Sequence, residues 1–320
     1  MIKARLGAIV LLAGLLLGGC DRAAQPTIRV ATNVWPGYEP LYLARTVGYF
    51  EKTAVELVEY PSASEVMRAY ENALVDAAGI TLDEALLLAA ARPDFTIVAV
   101  MDYSNGADAI LARPPARDLS ALKGRTIGLE NTALGSFFLS RALQIAGIDP
   151  ASVTLVPMLV DEHERAYKSG RVDAVVTFEP VRTLLLKEGA VQVFDSSQIP
   201  GEIVDVLMVR TRTLQENPKA VKALIAGWFR ALAYMQENPG KAHELMSARL
   251  GISPQEAAAA YEGLALPTQT ENLRALFGPN AELKAVATQM QEKLIKAGIL
   301  ERPVTLERLF PADSVKKLYP

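Results

Sequence analysis

From Thr27 onward, short apolar runs alternate with amphipathic segments. Ile28 to Ala31 reads as a buried strand, Pro40 to Phe50 as a helix and Val55 to Glu59 as a strand of period two. Ser64 to Leu74 places Val66, Ala69, Tyr70 and Ala73 at helical spacing. Ala77 to Ile80, Ile97 to Val100 and Ala109 to Ala112 are further strands, with a helix over Leu82 to Ala91 ended near Pro93. The rhythm restarts at Arg125 to Leu129. Strands at Val153 to Val156, Val172 to Val176 and Val191 to Phe194 alternate with helices at Ser136 to Ala146, Glu162 to Ser169 and Val181 to Lys187, each helix closed by a glycine. Val204 to Val209 is a strand that can return to the first unit. Such alternation predicts a mainly parallel sheet covered on both faces, built twice.

The remainder is helical. Asn217-Pro218 and Asn238-Pro239 carry the cap-plus-proline signature of helix starts. Between them Val221, Leu224, Ile225, Trp228, Leu232 and Met235 form one apolar stripe, which makes Trp228 a core residue. Pro254 to Tyr261 and Ala281 to Ala297 are two more helices. The expected organisation is a first lobe from residues 27–107 and 200–320, including the C-terminal helices, and a second from 108–199, with a cleft between them.

The first residues follow a different logic. Lys3 and Arg5 precede an apolar stretch, Leu6 to Leu17, shorter than the about 20 residues needed to span a bilayer. It ends in Leu17-Gly18-Gly19-Cys20, which resembles a bacterial lipobox. Residues 1–19 are therefore expected to be a removable signal peptide, Cys20 the lipidated residue and 20–26 a tether. Cys20 is the only cysteine; acylation would spare a secreted chain a reactive thiol and leaves stability to the core. Asp21 resembles an inner-membrane retention signal, favouring that membrane's outer face. The composition of the whole chain, 50% hydrophobic and 22% charged, is that of a globular protein. The formal charge of −3 becomes two units more negative without Lys3 and Arg5. An acidic chain without Lys/Arg clusters is a poor nucleic-acid binder.

Ligands of two-lobed α/β proteins sit at strand ends near helix N-termini. After the first strand comes Trp35-Pro36-Gly37-Tyr38-Glu39, a turn that presents two aromatics beside a carboxylate. Thr81 ends a strand and stands ready to cap the next helix or to meet a ligand. Leu134-Gly135-Ser136 opens a helix, with free N–H groups for a polar ligand group. Phe178-Glu179 follows a strand. Asp83, Asp102, Ser104, Asn105 and Asp205 complete the candidate ligand contacts, and Asp108 and Glu130 stand in the same loops. These loops hold many acids and almost no Lys, Arg or His, which leans the ligand towards an amine, another cation or a neutral heteroaromatic.

Several segments together carry a resemblance. Trp35-Pro36-Gly37-Tyr38-Glu39-Pro40-Leu41-Tyr42-Leu43-Ala44 with Val47-Gly48-Tyr49-Phe50 comes first, followed by Asp76-Ala77-Ala78-Gly79-Ile80-Thr81. Leu122-Lys123-Gly124-Arg125-Thr126-Ile127-Gly128, Gly135-Ser136-Phe137-Phe138-Leu139, Gly170-Arg171-Val172-Asp173-Ala174 and Phe178-Glu179-Pro180 complete the set. In order and spacing, over residues 27–240, this resembles the nitrate/sulfonate/taurine-type substrate-binding proteins, which include thiamine-pyrimidine binders. The resemblance implies a type II periplasmic-binding fold, an extracytoplasmic monomer, no cofactor, and a small solute passed to the permease and ATPase of an ABC importer. Alternatives within the same fold are a sulfonate, nitrate or taurine-type anion, a sensor docking to a membrane receptor, and a pyrimidine-synthase-like enzyme. The last is disfavoured: the two histidines, His163 and His243, stand outside the strand-end loops, and no catalytic or metal-ligand spacing is present. His163, in Asp161-Glu162-His163-Glu164-Arg165, reads as solvent-exposed.

Overall fold

The computed structural model describes residues 27–50, 55–277, 281–310 and 313–320. The chain opens with β1 (Ile28–Thr32), α1 (Glu39–Thr46), β2 (Val55–Glu59), α2 (Ala63–Glu71), β3 (Ala77–Thr81), α3 (Leu82–Ala91) and β4 (Phe95–Ser104). It crosses to β5 (Asp108–Ala112), then runs through β6 (Thr126–Leu129), α4 (Ala133–Ala146), β7 (Thr154–Pro157), α5 (Val160–Lys168), β8 (Ala174–Phe178), α6 (Val181–Lys187) and β9 (Val191–Asp195). It returns as β10 (Val204–Arg210) and ends in α7 (Thr211–Glu216), α8 (Pro218–Glu237), α9 (Pro239–Leu250), α10 (Pro254–Glu262), β11 (Leu264–Ala265), α11 (Gln269–Phe277), α12 (Glu282–Lys296) and α13 (Asp313–Lys316).

Two sheets result, ordered β11-β4-β10-β3-β1-β2 and β7-β6-β8-β5-β9. The expectation of mainly parallel sheets needs correction. β1 is parallel to β2 and β3, but β10 runs antiparallel to both β3 and β4. In the second sheet β6 is parallel to β7 and β8, while β5 is antiparallel to β8 and β9. The strands that follow a crossing, β5 and β10, enter their sheets from the cleft side, so they run against the strands that point towards it. This is the type II periplasmic-binding fold.

Burial follows the sequence pattern. β3 and β5 are buried at every position because helices cover both of their faces. Along β5 the side chains alternate: Ile110 and Ala112 join one core with Phe138 and Phe194, and Ala109 and Leu111 join another with Tyr167 and Leu185. Trp228 is fully buried in the core of the first sheet. Asn217 caps α8 as expected, accepting from the Ala220 N–H, but Asn238 turns its side chain back to the Tyr234 carbonyl. α1 stops at Thr46, short of Phe50, because Gly48 adopts a φ of 78° and the Tyr49 N–H folds back to the Ala44 carbonyl. Among the described residues no helix is long and apolar enough to cross a membrane.

The two crossings are tied together. Ser104 Oγ lies 2.8 Å from Ser196 Oγ, which also accepts from the Gly106 N–H at 2.6 Å. Asn105 faces outward, and its N–H bonds the Gly263 carbonyl at 2.8 Å. Gly106 takes a φ of 122°, and at Gly263 a Cβ would meet the Ala107 nitrogen at 2.9 Å. The passage between sheets is therefore short, glycine-dependent and hydrogen-bonded.

Candidate ligand-binding cleft

The loop after β1 turns through Pro36–Tyr38 and buries its aromatics. Trp35 Nε1 donates to Asp102 Oδ2 at 3.0 Å, and the Tyr38 hydroxyl donates to Asp205 Oδ1. Gly37 makes this possible, since a Cβ there would fall 1.8 Å from Asp102 Oδ2 and 2.3 Å from Trp35 Nε1. Register completes the arrangement: Asp205 on β10 lies opposite Thr81 on β3 and Asp102 on β4. Three adjacent strand ends thus present Thr81, Asp205 and Asp102 side by side.

The second sheet answers with Asp108 at the start of β5 and Phe178 at the end of β8, which are register partners. The Phe178 ring meets Trp35 edge-to-face across the cleft, with centroids 5.6 Å apart. Asn33, Trp35, Tyr38, Ala63, Thr81, Glu84 and Asp205 from one side, and Asp108, Leu134 and Phe178 from the other, line one cavity of about 20 Å³, room for about one water molecule. The cleft is closed. Glu130 Oε1, from the second lobe, accepts from the N–H of Ser64 at 2.8 Å and its hydroxyl at 2.6 Å, at the N-terminus of α2. Lys187 and Glu256 pair at 2.7 Å, and Val34 and Leu184 both pack on Leu250, Ile252 and Ala257.

Electrostatically the cavity is one-sided. Burial raises Asp108 and Asp102 to about 7 and Glu84 to about 8. It raises Asp83 to about 6 and lifts Asp205 well above the carboxylate range. Neighbouring charges add to this: Asp108 and Glu179 act on this group from the second lobe, Asp83, Asp102 and Glu84 from the first, and Glu130 on Glu84. Among the described residues no lysine, arginine or histidine stands in the cavity lining to oppose them.

The remaining candidates serve other ends. Glu39 is buried against Arg249, whose Nε lies 3.1 Å from Oε2, so it is turned away from the cavity. Glu179 is held by Arg182 at 2.8 Å and the Thr183 N–H at 3.1 Å. Asp83 is buried beside the lining and Asp102 behind it. Ser104 and Asn105 belong to the crossing. Ser136 does not open α4: the helix starts at Ala133, with Thr132 accepting from the Gly135 N–H, and the Ser136 N–H bonds the Thr132 carbonyl. Gly135 is small because a Cβ would meet the Glu130 carbonyl oxygen at 2.3 Å. His163 is buried, not exposed, with Nδ1 3.1 Å from Thr177 Oγ1 beneath β8; its burial lowers its pKa to about 4. Cys20 lies outside the described residues.

Glu84 was not among the sequence candidates. Thr81-Leu82-Asp83-Glu84 reads as a capping box, and Glu84 Oε2 does accept from the Thr81 N–H at 3.2 Å. Its other oxygen is what matters at the cavity.

Among proteins similar to this chain, a Bacillus subtilis (strain 168) protein provisionally named as an aliphatic sulfonates-binding protein is 26% identical over 263 residues, 75% of this chain and 77% of its own. The alkanesulfonate-binding protein SsuA from Xanthomonas axonopodis pv. citri, solved bound to MOPS, superposes with a TM-score of 0.77 at 16% identity, covering 91% of this chain and 100% of that one. The desulfurization enzyme DSZB superposes with a TM-score of 0.69 at 17% identity, over 92% and 98% of the two chains. The fold therefore hosts both binders and an enzyme. The model of the NMT1-like family matches residues 21–250, a span that contains both crossings and every residue lining the cleft, and the chain is a member of that family.

Proposed function

We propose that this protein is the extracytoplasmic solute-binding component of an ABC importer, that it carries an aliphatic sulfonate to the permease and its ATPase, and that it catalyses no reaction. The carrying observation is that residues of both lobes, Trp35 and Phe178 foremost, close over a single cavity. Such a site captures a solute by closure and releases it by opening. The names of the relatives support the sulfonate. In the first turn of α4, Thr132 takes the N–H groups of Gly135 and Ser136, which leaves those of Ala133 and of Leu134, a residue of the cavity lining, for an anion. The leaning towards an amine, another cation or a neutral heteroaromatic, drawn from the acids and aromatics of the strand-end loops, has no support from those relatives. The binding reading draws on the histidines: His163 is enclosed behind β8 and His243 stacks on Tyr261, away from the cavity lining. The lipid anchor on Cys20 belongs to the same proposal.

Thermal melting with straight-chain alkanesulfonates of increasing length tests the class. A sulfonate that binds only the folded protein raises the melting temperature by mass action. No shift with any alkanesulfonate at millimolar concentration removes sulfonates from consideration.

A further inference from the structure

We infer that Glu202 is a positioning residue for solute capture. Standing on the second crossing, it clasps Arg141 of α4 and Lys293 of α12, and so holds the anion-facing helix and the first lobe in the closed arrangement. The inference rests on the reading of this protein as a binder that works by closure, and it concerns residues outside the cavity lining. Leu134, Phe137 and Arg141 stand at i, i+3 and i+7 of α4 and therefore share one helix face. Leu134 lines the cavity. Phe137 is buried in the core of the first sheet, although Phe138, Leu139 and Ala142 of the same helix belong to that of the second. Arg141 reaches the crossing. There its guanidinium meets Glu202 as a fork, Nε to Oε2 at 2.7 Å and Nη2 to Oε1 at 2.9 Å, while Nη1 donates to Gln144. Glu202 Oε1 also lies 3.1 Å from Lys293 Nζ.

The two arms of this clasp lead to different cores. Ile199 and Ile203, flanking Glu202 on the crossing, are buried in the core of the second sheet with Phe138 and Phe194. Met290 and Leu294, around Lys293 on α12, are buried in that of the first. The Glu202–Lys293 contact therefore spans the lobes, and opening the cleft about the crossings acts on it. The crossing is itself fixed at this point: the Glu202 N–H bonds the Ile199 carbonyl and the Ile203 carbonyl accepts from the Ser104 N–H, both at 3.1 Å. The Glu202 side chain is 13% exposed. Burial acts to raise its pKa, but the bonds from Arg141 and Lys293 hold the carboxyl below its ordinary value, so it stays charged. An arginine fork fixes direction as well as distance, and through it a displacement of the crossing reaches α4, whose first turn borders the cavity. Lys293, 37% exposed, supplies the weaker arm.

Two variants of the mature protein separate the arms: Lys293→Met removes one charge and keeps an apolar stem, and Glu202→Gln removes the shared acceptor. With butanesulfonate as the probe, isothermal titration should show affinity lowered about threefold by Lys293→Met and about tenfold by Glu202→Gln. Lys293→Arg should keep the parent affinity. Added to Glu202→Gln, Lys293→Met should lower affinity no further, because its partner is already gone. Small-angle scattering reads the same clasp without ligand: the ligand-free Glu202→Gln protein should show a larger radius of gyration than the parent, with an unchanged circular dichroism spectrum. If Glu202→Gln fails to fold, Lys293→Met carries both comparisons against Lys293→Arg. If no alkanesulfonate binds the parent, the sulfonate reading fails and scattering alone decides the clasp. An unchanged radius of gyration, parent-like affinity in both variants, or an equal loss on Lys293→Met with and without Glu202→Gln would overturn it.

Discussion

At the scale of single residues, the cleft is a set of carboxyl groups held where water cannot solvate their charge. Asp108 and Asp102 titrate near 7 and Glu84 near 8, each raised chiefly by burial. The groups facing them are Asp83, Glu130 and Thr81 around Glu84, Ser104, Asp83 and Glu179 around Asp108, and Trp35, Asp108 and Asp205 around Asp102. In the unfolded chain these carboxyls lose their protons near pH 4. Between that pH and their folded values the native state holds more protons than the unfolded state, so stability falls as pH rises. Each retained proton contributes a slope of about 1.4 kcal/mol per pH unit. His163 acts oppositely: lowered from 6.5 to about 4, it destabilises the fold as pH falls through that interval. Above pH 6.5 its contribution is constant, so the acids alone should govern the window from 6.5 to 8. The ligand-free protein should melt at a lower temperature at pH 8 than at pH 6.5, and Asp108→Asn should flatten that dependence. A melting temperature that rises across the window in the parent would contradict the assignment of these protons. Trp35, Tyr38, Thr81, Phe178 and Asp205 could be named from sequence because each lies at or near the end of a strand. Glu84 could not, because one carboxylate performs two tasks and the capping box accounts for only the first.

At the scale of elements, closure rests on a few contacts between α2, α4 and α6 and their partners. Glu130 is the one that joins the lobes most directly, through two hydrogen bonds to Ser64 at the start of α2. Its carboxylate occupies a helix N-terminus, where negative charge is favoured. A hydrogen bond to a charged group contributes about 1.5–3 kcal/mol, enough to move an open–closed equilibrium by about tenfold or more. Glu130→Ala should therefore open the ligand-free protein, seen in small-angle scattering as a larger radius of gyration, and a saturating ligand should restore the compact value. An unchanged scattering profile would show that the other contacts, among them Trp35–Phe178, Lys187–Glu256 and the packing of Val34, Leu184 and Phe137, suffice to hold the lobes. Glycine signals marked the ends of α4, α5 and α6 in the sequence, but the start of α4 was misplaced. Ser136 is a good cap by residue type, yet Thr132 holds that place because its extended backbone directs Oγ1 to the Gly135 N–H.

At the scale of the whole molecule, two sheets are joined by two short crossings that Ser104 and Ser196 bind to one another. A hinge of this kind separates the lobes without unfolding either, which a cavity of about 20 Å³ requires before any organic solute can enter. Attachment to a membrane is a separate matter and rests on Cys20. The Cys20→Ser variant should move from the membrane to the soluble fraction of cells, and a variant that sediments with the membrane as firmly as the parent would show that the thiol carries no anchor. The sequence by itself determined the alternation of strand and helix, the burial of Trp228 and the family motifs, because periodicity and glycine or proline stops act within a few residues. Only the tertiary structure decided strand direction, since β5 and β10 acquire theirs from the side on which they enter a sheet. It alone decided which acids meet the cavity. Glu39 and Glu179 find Arg249 and Arg182, one of them 210 residues away in the chain, while among the described residues no lysine or arginine stands with Glu84 and Asp108 in the cavity lining. Pairing of buried charge depends on contacts that no local pattern encodes.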